Sequence, residues 1–210
     1  MSNLIINNLS CIRGYNQLFT DLSFELRPGE ILKISGTNGT GKTSLLKIIA
    51  GLNSAESGSI FFKNNDINDI NNKLDIFYLG HLNALSPELS CIENLNFLLE
   101  LGTENFNSSY VDALSMVGLN NYENELVANL SAGQKRRVAL AALFVTPSKL
   151  WLLDEPFTSL DSKGIEIVEN QIKKHRDSGG LCILTTHQVC SIKTVSYTHL
   201  RAHETRTNRV

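Results

Sequence analysis

The sequence predicts an α/β fold, a mainly parallel sheet covered by helices on both faces. Three observations predict it. Short β-rich runs alternate with helical patterns along most of the chain. "LWLLDEP", residues 150–156, is a continuous apolar run of the kind a doubly buried parallel strand shows. The glycine-rich "GTNGTGKTS", residues 36–44, lies between a predicted strand and a predicted helix.

The first segments, "LIINNL", "LFTDLSFEL" and "EILKISG", are β-rich. The second alternates apolar and polar residues, as a half-buried antiparallel strand does. "PGE" at 28–30 makes the turn between the second and third. "KTSLLKIIAGL" has helical spacing, with Gly51 as its C-terminal stop. "GSIFF" and "DIFYLG" return to strand. Residues 82–130 change character: "SCIENLNFLLEL" and "SSYVDALSMVGL" have helical spacing and are joined by Asn- and Ser-rich loops, which predicts an inserted helical lobe. The core resumes with a helix from about Ser131, the strand "LWLLDE", a helix from Asp161 to His175 and the strand "LCILTTH". Composition shifts abruptly after Thr194. The segment 195–210 has almost no apolar face and is expected to be a non-native or disordered tail, leaving residues 1–194 as the domain.

A chain of 210 residues suffices for one compact domain carrying an inserted lobe. Its 42% hydrophobic and 19% charged content is that of an ordinary globular protein. The formal charge is −2; without the tail's three arginines and one glutamate, 16 basic residues face 20 acidic ones. That balance disfavours a nucleic-acid partner. Cys11, Cys91, Cys182 and Cys190 include no Cys-x-x-Cys pair, so neither a disulfide framework nor a zinc site is indicated. "MSNLIINNLS" lacks the marks of a signal peptide. The longest apolar run, Val138 to Val145, falls far short of the roughly 20 residues that span a bilayer. The chain is expected to be soluble by itself, with any membrane role supplied by a partner.

"GTNGTGKTS" matches G-x-x-x-x-G-K-[ST] in its required strand–helix context. Gly36, Gly39 and Gly41 let the backbone wrap closely around phosphate oxygens, with Thr37, Asn38, Thr40 and Ser44 completing the loop. The following helix offers its positive N-terminal end. Lys42 is expected to contact the β- and γ-phosphates, and the Thr43 hydroxyl to ligate Mg²⁺. At the end of "LWLLDE", Asp154 is expected to hold Mg²⁺ through its water shell and Glu155 to act as general base on the attacking water. His187 ends "LCILTTH", a strand expected beside the one carrying Glu155, from where it can reach the γ-phosphate and hold the glutamate–water geometry. "LSAGQ" places Ser131, Gly133 and Gln134 in a small turn at a helix mouth, an anion site; Ser131 also suits an ordinary N-cap. Lys135, Arg136 and Arg137 are expected to be solvated or paired rather than nucleotide contacts.

"GTNGTGKT", "LSAGQ", "LLDEP", "SLD" and "TTH" occur in the order and spacing of ATP-binding-cassette ATPases, which residues 3–194 resemble. The resemblance implies a P-loop NTPase (RecA-like) core with an antiparallel β subdomain and an inserted α-helical subdomain. It implies a head-to-tail homodimer in which Ser131, Gly133 and Gln134 of one copy close on the γ-phosphate of ATP held with Mg²⁺ by the other. It further implies transmembrane permease subunits as partners, at the cytoplasmic face of a bacterial inner membrane. "FYLGHLNALSPELSCIENLNF", "LSAGQKRRVALAALF" and "GGLCILTTHQ" are most similar to the heme-exporter group of cytochrome c maturation. There His81 stands where most cassettes carry a glutamine that senses Mg²⁺ and the attacking water. Leu82 and Ala142 depart from the usual pattern. The adenine-stacking aromatic stays open, because the spacing of Tyr15 before Leu18 is not a clean match. Heme binding by this chain is not implied; His199 and His203 lie in the tail. The alternatives are the ATPase of another exporter, for lipids or small hydrophobic compounds, a cassette acting on ribosomes or DNA, and a regulatory module with weak hydrolysis.

Overall fold

The computed structural model describes residues 3–69, 72, 75–99, 107–187, 192 and 195–198. Two sheets organise it. Strands β1 (Leu4–Arg13), β2 (Asn16–Leu26), β4 (Ser57–Phe62) and β5 (Asn65–Asp66) form an antiparallel sheet in the order β2-β1-β4-β5. Strands β3 (Ile31–Ser35), β6 (Ile76–Leu79), β7 (Leu150–Asp154), β8 (Leu181–Thr185) and β9 (Val195–Thr198) form a parallel sheet in the order β6-β7-β8-β3-β9. The third predicted strand, "EILKISG", lies in the parallel sheet beside β8.

The apolar run at β7 is buried throughout, and its alternate side chains enter two different cores. Leu150 and Leu152 meet Leu45, Leu46 and Ile49 of helix α1 (Lys42–Ile49) and the antiparallel sheet. Trp151 and Leu153 enter the core built by the helices on the opposite face. Each such side chain, fully removed from water, stabilises the fold by roughly 1.5–3 kcal/mol. Helix α1 stops as expected at Gly51, φ 70°: the Gly51 N–H donates to Ile48 O and the Leu52 N–H to Lys47 O, the paired bonds of a Schellman motif.

The segment 82–130 contains helices α2 (Cys91–Leu99) and α3 (Asn107–Met116) and a 3₁₀ turn at Val127–Asn129. Ser90 and Glu93 form reciprocal side-chain-to-backbone bonds at the start of α2, a capping box legible in "SCIE". The buried Asn94 holds the preceding loop, accepting from the Ser86 N–H at 2.7 Å and donating to the carbonyls of Ser86, Leu89 and Ser90. Helix α4 (Ala132–Ala141) follows, and helix α5 (Ser162–Asp177) precedes β8. Leu95, Leu114, Leu140 and Trp151 belong to one continuous core, so the lobe's apolar faces merge with one face of the parallel sheet. Residues 195–198, which composition assigned to the tail, run parallel to β3 as β9, from Leu32↔Val195 to Ser35↔Thr198. Residues 199–210, with His199 and His203, lie outside the described residues, as does Cys190. Among the described residues no helix is long and apolar enough to cross a membrane.

Candidate functional site: a phosphate loop facing an acidic strand end

The parallel sheet brings the carboxyl ends of β3, β6, β7 and β8 to one edge, the side on which ligands of such sheets bind. There a cavity of about 560 Å³ is lined by Asn38, Gly39, Gly41, Lys42, Thr43, Ser44, His81, Asp154, Glu155 and His187, together with Leu18 and Thr158. The loop after β3 needs its glycines. Gly41 has φ 93° and a Cβ there would meet the Leu18 Cβ at 2.9 Å; at Gly36 it would meet Thr40 Oγ1 at 2.9 Å. Thr40 is buried and closes the loop by donating to Thr37 O at 3.0 Å. Lys42 Nζ donates to Gly36 O at 2.7 Å and Thr37 O at 3.0 Å, and lies 3.5 Å from His187 Nε2.

Asp154 is 2% exposed, and both its oxygens accept from hydroxyls: Thr43 Oγ1 donates to Oδ2 and Thr185 Oγ1 to Oδ1, each at 2.7 Å. The Thr43 hydroxyl and this carboxylate are adjacent hard oxygen donors, the set that suits a magnesium ion keeping most of its waters. Among the described residues no three His, Cys, Asp or Glu side chains gather into a protein metal cage. Glu155 has φ 49°, a left-handed conformation that costs a non-glycine residue about 1–3 kcal/mol. Its N–H donates to Thr185 Oγ1 at 3.0 Å. Its Oε2 accepts from the His187 N–H at 3.3 Å. Oε1 stands 3.5 Å from His187 Nε2 and, although buried, makes no hydrogen bond among the described residues. A 3.5 Å separation is too long for a well-formed bond, so Oε1 retains accepting capacity at the cavity wall. Negative charge on Asp154 adds to burial in raising the Tyr78 hydroxyl to about 12, burial being the larger cause.

The "LSAGQ" turn, the signature turn of the family resemblance, lies elsewhere. Ser131 caps α4, its Oγ accepting from the Gln134 N–H at 3.3 Å while Gln134 Oε1 accepts from the Ser131 N–H at 2.9 Å. Ser131, Gly133 and Gln134 line a separate depression with Tyr122, Ser159 and Asp161, and none of them lines the phosphate-loop cavity of the same chain. Ser159, at φ 64°, puts its carbonyl 3.1 Å from where a Gly133 side chain would begin. Asp161 caps α5, and the Gly164 N–H, then the neighbouring Arg137 guanidinium, hold its carboxyl below the usual range. Tyr15 is fully exposed and does not line the cavity, whereas Leu18 does.

Two contributors have roles that the motifs did not assign. Thr185 joins Asp154 to Glu155. Arg136, expected to be solvated or paired, is instead 3% exposed and hydrogen-bonded to loops of the site. Burial lowers its pKa to about 10, against the opposing pull of Asp154 and Glu155, so it remains a cation at neutral pH. Its neighbours do lie toward the surface: Lys135 reaches Ala128 O at 3.4 Å, and Arg137 donates to Val117 O and pairs with Asp161 at 2.6 Å. The signal for Arg136 was its place on the stripe shared with Ala139, Leu140 and Leu143, three, four and seven residues on.

A phosphate loop at the end of one parallel strand and paired carboxylates at the end of another define a P-loop nucleoside triphosphatase. The ABC transporter family matches residues 19–158, two thirds of the chain. Cytochrome c biogenesis ATP-binding export protein CcmA of Shewanella oneidensis is 47% identical over 188 residues, covering 88% of this chain and 86% of that protein. Its namesakes from Vibrio vulnificus and Nitrosomonas europaea are 44% and 42% identical, covering 92% and 94% of their lengths and 88% and 94% of this chain. The chain belongs to the ABC transporter family of ATPases, among relatives that carry the cytochrome c biogenesis export name. An ABC transporter ATP-binding protein from Pyrococcus furiosus superposes with a TM-score of 0.81 at 26% identity, over 94% of this chain and 97% of that one. The fold is also that of the ATP-binding cassette MJ0796, whose dimeric structure holds ADP and Pi, with a TM-score of 0.79 at 24% identity over 88% of each chain.

Proposed function

We propose that this chain is the ATP-hydrolysing subunit of the heme exporter of cytochrome c maturation, working as a head-to-tail homodimer under transmembrane permease subunits at the cytoplasmic face of the inner membrane. The observation that carries the reading is the division of the motifs: Lys42, Asp154, Glu155 and His187 share one cavity, while Ser131, Gly133 and Gln134 face another. An active site needing both is completed by a second copy. The heme assignment rests on likeness to proteins named for cytochrome c biogenesis export.

In this mechanism the N–H groups of Gly36 to Ser44 and the N-terminal end of α1 receive the phosphates. Lys42 turns its ammonium from the Gly36 and Thr37 carbonyls toward the β- and γ-oxygens. Thr43 and Asp154 hold Mg²⁺, which when bound neutralises charge on those oxygens. Glu155 Oε1 accepts the proton of the attacking water, and His187 fixes the carboxylate's orientation. His81 contacts the same reacting end of the nucleotide. The partner's Ser131 and Gly133 close over the γ-phosphate, with Gln134 bracing that turn.

Lys42→Ala should abolish ATP binding. Glu155→Gln, which keeps shape and removes basicity, should bind MgATP, accumulate as a dimer in gel filtration and lower turnover by at least about 100-fold. A folded Glu155→Gln protein that stays monomeric in saturating MgATP would contradict the sandwich. Purification from membranes with a permease unrelated to cytochrome maturation would instead assign the cassette to another exporter.

A further inference from the structure

Arg136 lies on the inward face of α4, five residues after the cap that carries the signature turn. Its guanidinium spans two strand ends at once. One terminal nitrogen donates to Gly80 O and Asn83 Oδ1, each at 3.0 Å; the other donates to Asp154 O at 3.2 Å and Glu155 O at 2.8 Å. Gly80 precedes His81 in the loop after β6, and Glu155 follows β7, so one planar fork joins both loops to the signature helix. All four acceptors are uncharged, and the buried Nε–H has no partner among the described residues. A buried cation so arranged is a poor source of stability, but a rigid multidentate guanidinium fixes relative geometry well. Glu155 is where such fixing matters. Its left-handed backbone is gripped at the N–H by Thr185 and at the carbonyl by Arg136, and that peptide sets the direction of the carboxylate.

We propose that Arg136 is a positioning residue: it holds the Glu155 peptide and the His81 loop in register with each other and with the helix bearing Ser131 and Gly133. The inference rests on the reading of Glu155 as the general base. Its effect falls on the chemical step and spares nucleotide binding, because Arg136 does not line the phosphate-loop cavity.

The test compares Arg136→Lys, Arg136→Gln, Asn83→Ala and Glu155→Gln with the wild type in the full chain. Steady-state ATP hydrolysis, affinity for a fluorescent ATP analogue and the melting temperature are measured for each. Lysine keeps the charge but cannot span both loops, so Arg136→Lys should lower kcat about 10- to 100-fold, the scale of a misplaced catalytic group. KM and nucleotide affinity should stay within about twofold, since substrate contacts are untouched. Arg136→Gln should lose at least as much turnover. Asn83→Ala, which removes one acceptor at a half-buried loop position, should lose several-fold less than Arg136→Lys. An inactive Glu155→Gln beside wild-type kcat in Arg136→Lys and Asn83→Ala overturns the positioning role alone. A fully active Glu155→Gln overturns the base assignment beneath it. Loss of kcat in parallel with binding and melting temperature makes Arg136 merely structural and overturns the proposal. Should Arg136→Gln not fold, Arg136→Lys and Asn83→Ala decide.

Discussion

Thr185 is wholly buried, and its hydroxyl works in both directions: it donates to Asp154 Oδ1 at 2.7 Å and accepts from the Glu155 N–H at 3.0 Å. Thr185→Val preserves the shape and removes both bonds. A buried carboxylate oxygen loses its donor, so denaturant unfolding should show a loss of about 1–3 kcal/mol. ATP turnover should fall as well, because the Glu155 N–H keeps only the longer bond to Thr185 O at 3.2 Å. Unchanged stability and turnover would remove Thr185 from the site. Lys42, Thr43, Asp154 and Glu155 were legible in the sequence because their motifs tie chemistry to fixed local spacing. Thr185 was not, since its role arises from the pairing of Asp154 with Thr185 across β7 and β8, 31 positions apart in the chain. Arg136 was hidden by its charge, which argues for solvent wherever burial is judged one residue at a time.

Strand β7 and helix α5 meet at the opposite end of the sheet in a stack of Trp151 on His175, with centroids 3.7 Å apart and planes 5° from parallel. His175 Nε2 lies 3.1 Å from Leu181 O. Burial lowers the His175 pKa below its ordinary 6.5, outweighing the backbone hydrogen bonds that raise it. The folded protein therefore binds fewer protons here than the unfolded chain at mildly acid pH. This contribution to stability is complete above the unfolded pKa of about 6.5 and is lost as pH falls from there toward the folded value. Melting curves should show the wild type losing stability below about pH 6.5 while His175→Phe, which cannot protonate, changes less. Emission of Trp151, the chain's single tryptophan, reports the same interface. Parallel curves for both proteins would exclude His175 as the source. Periodicity located these elements well, and Gly51 and Asp161 mark helix ends as local chemistry predicts. That the strand of His187 lies beside the strand of Glu155 was legible, and β8 does pair with β7; the places of β6, β3 and β9 were not, because long crossovers settle them and leave no local mark. Composition set residues 195–198 apart, whereas backbone pairing with β3 asks little of side-chain identity.

At the scale of the whole molecule, the phosphate loop and the signature turn of one chain open on different depressions. In the head-to-tail dimer proposed above, two-fold symmetry would turn that separation into a functional rule, since each closed site would take one half from each copy. On the proposed assembly, Lys42→Ala would disable a phosphate loop, and Gly133→Asp would put a carboxylate where the partner's γ-phosphate approaches. Asp in the first turn of α4 favours the helix, and its Cβ would lie 3.1 Å from Ser159 O, so a slight local adjustment accommodates it. Either variant alone forms dimers with both sites disabled. A mixed dimer has one site broken twice and one wholly intact. Equimolar mixing should therefore restore hydrolysis to roughly a quarter of the wild-type rate, half the dimers being mixed and each carrying one good site, if the sites fire independently. If both sites must close together for turnover, the mixture should still trap one nucleotide per mixed dimer, which neither parent does. Mixing that restores neither hydrolysis nor trapping, with both variants folded, would mean that the signature turn serves its own chain's phosphate loop and that head-to-tail assembly is wrong.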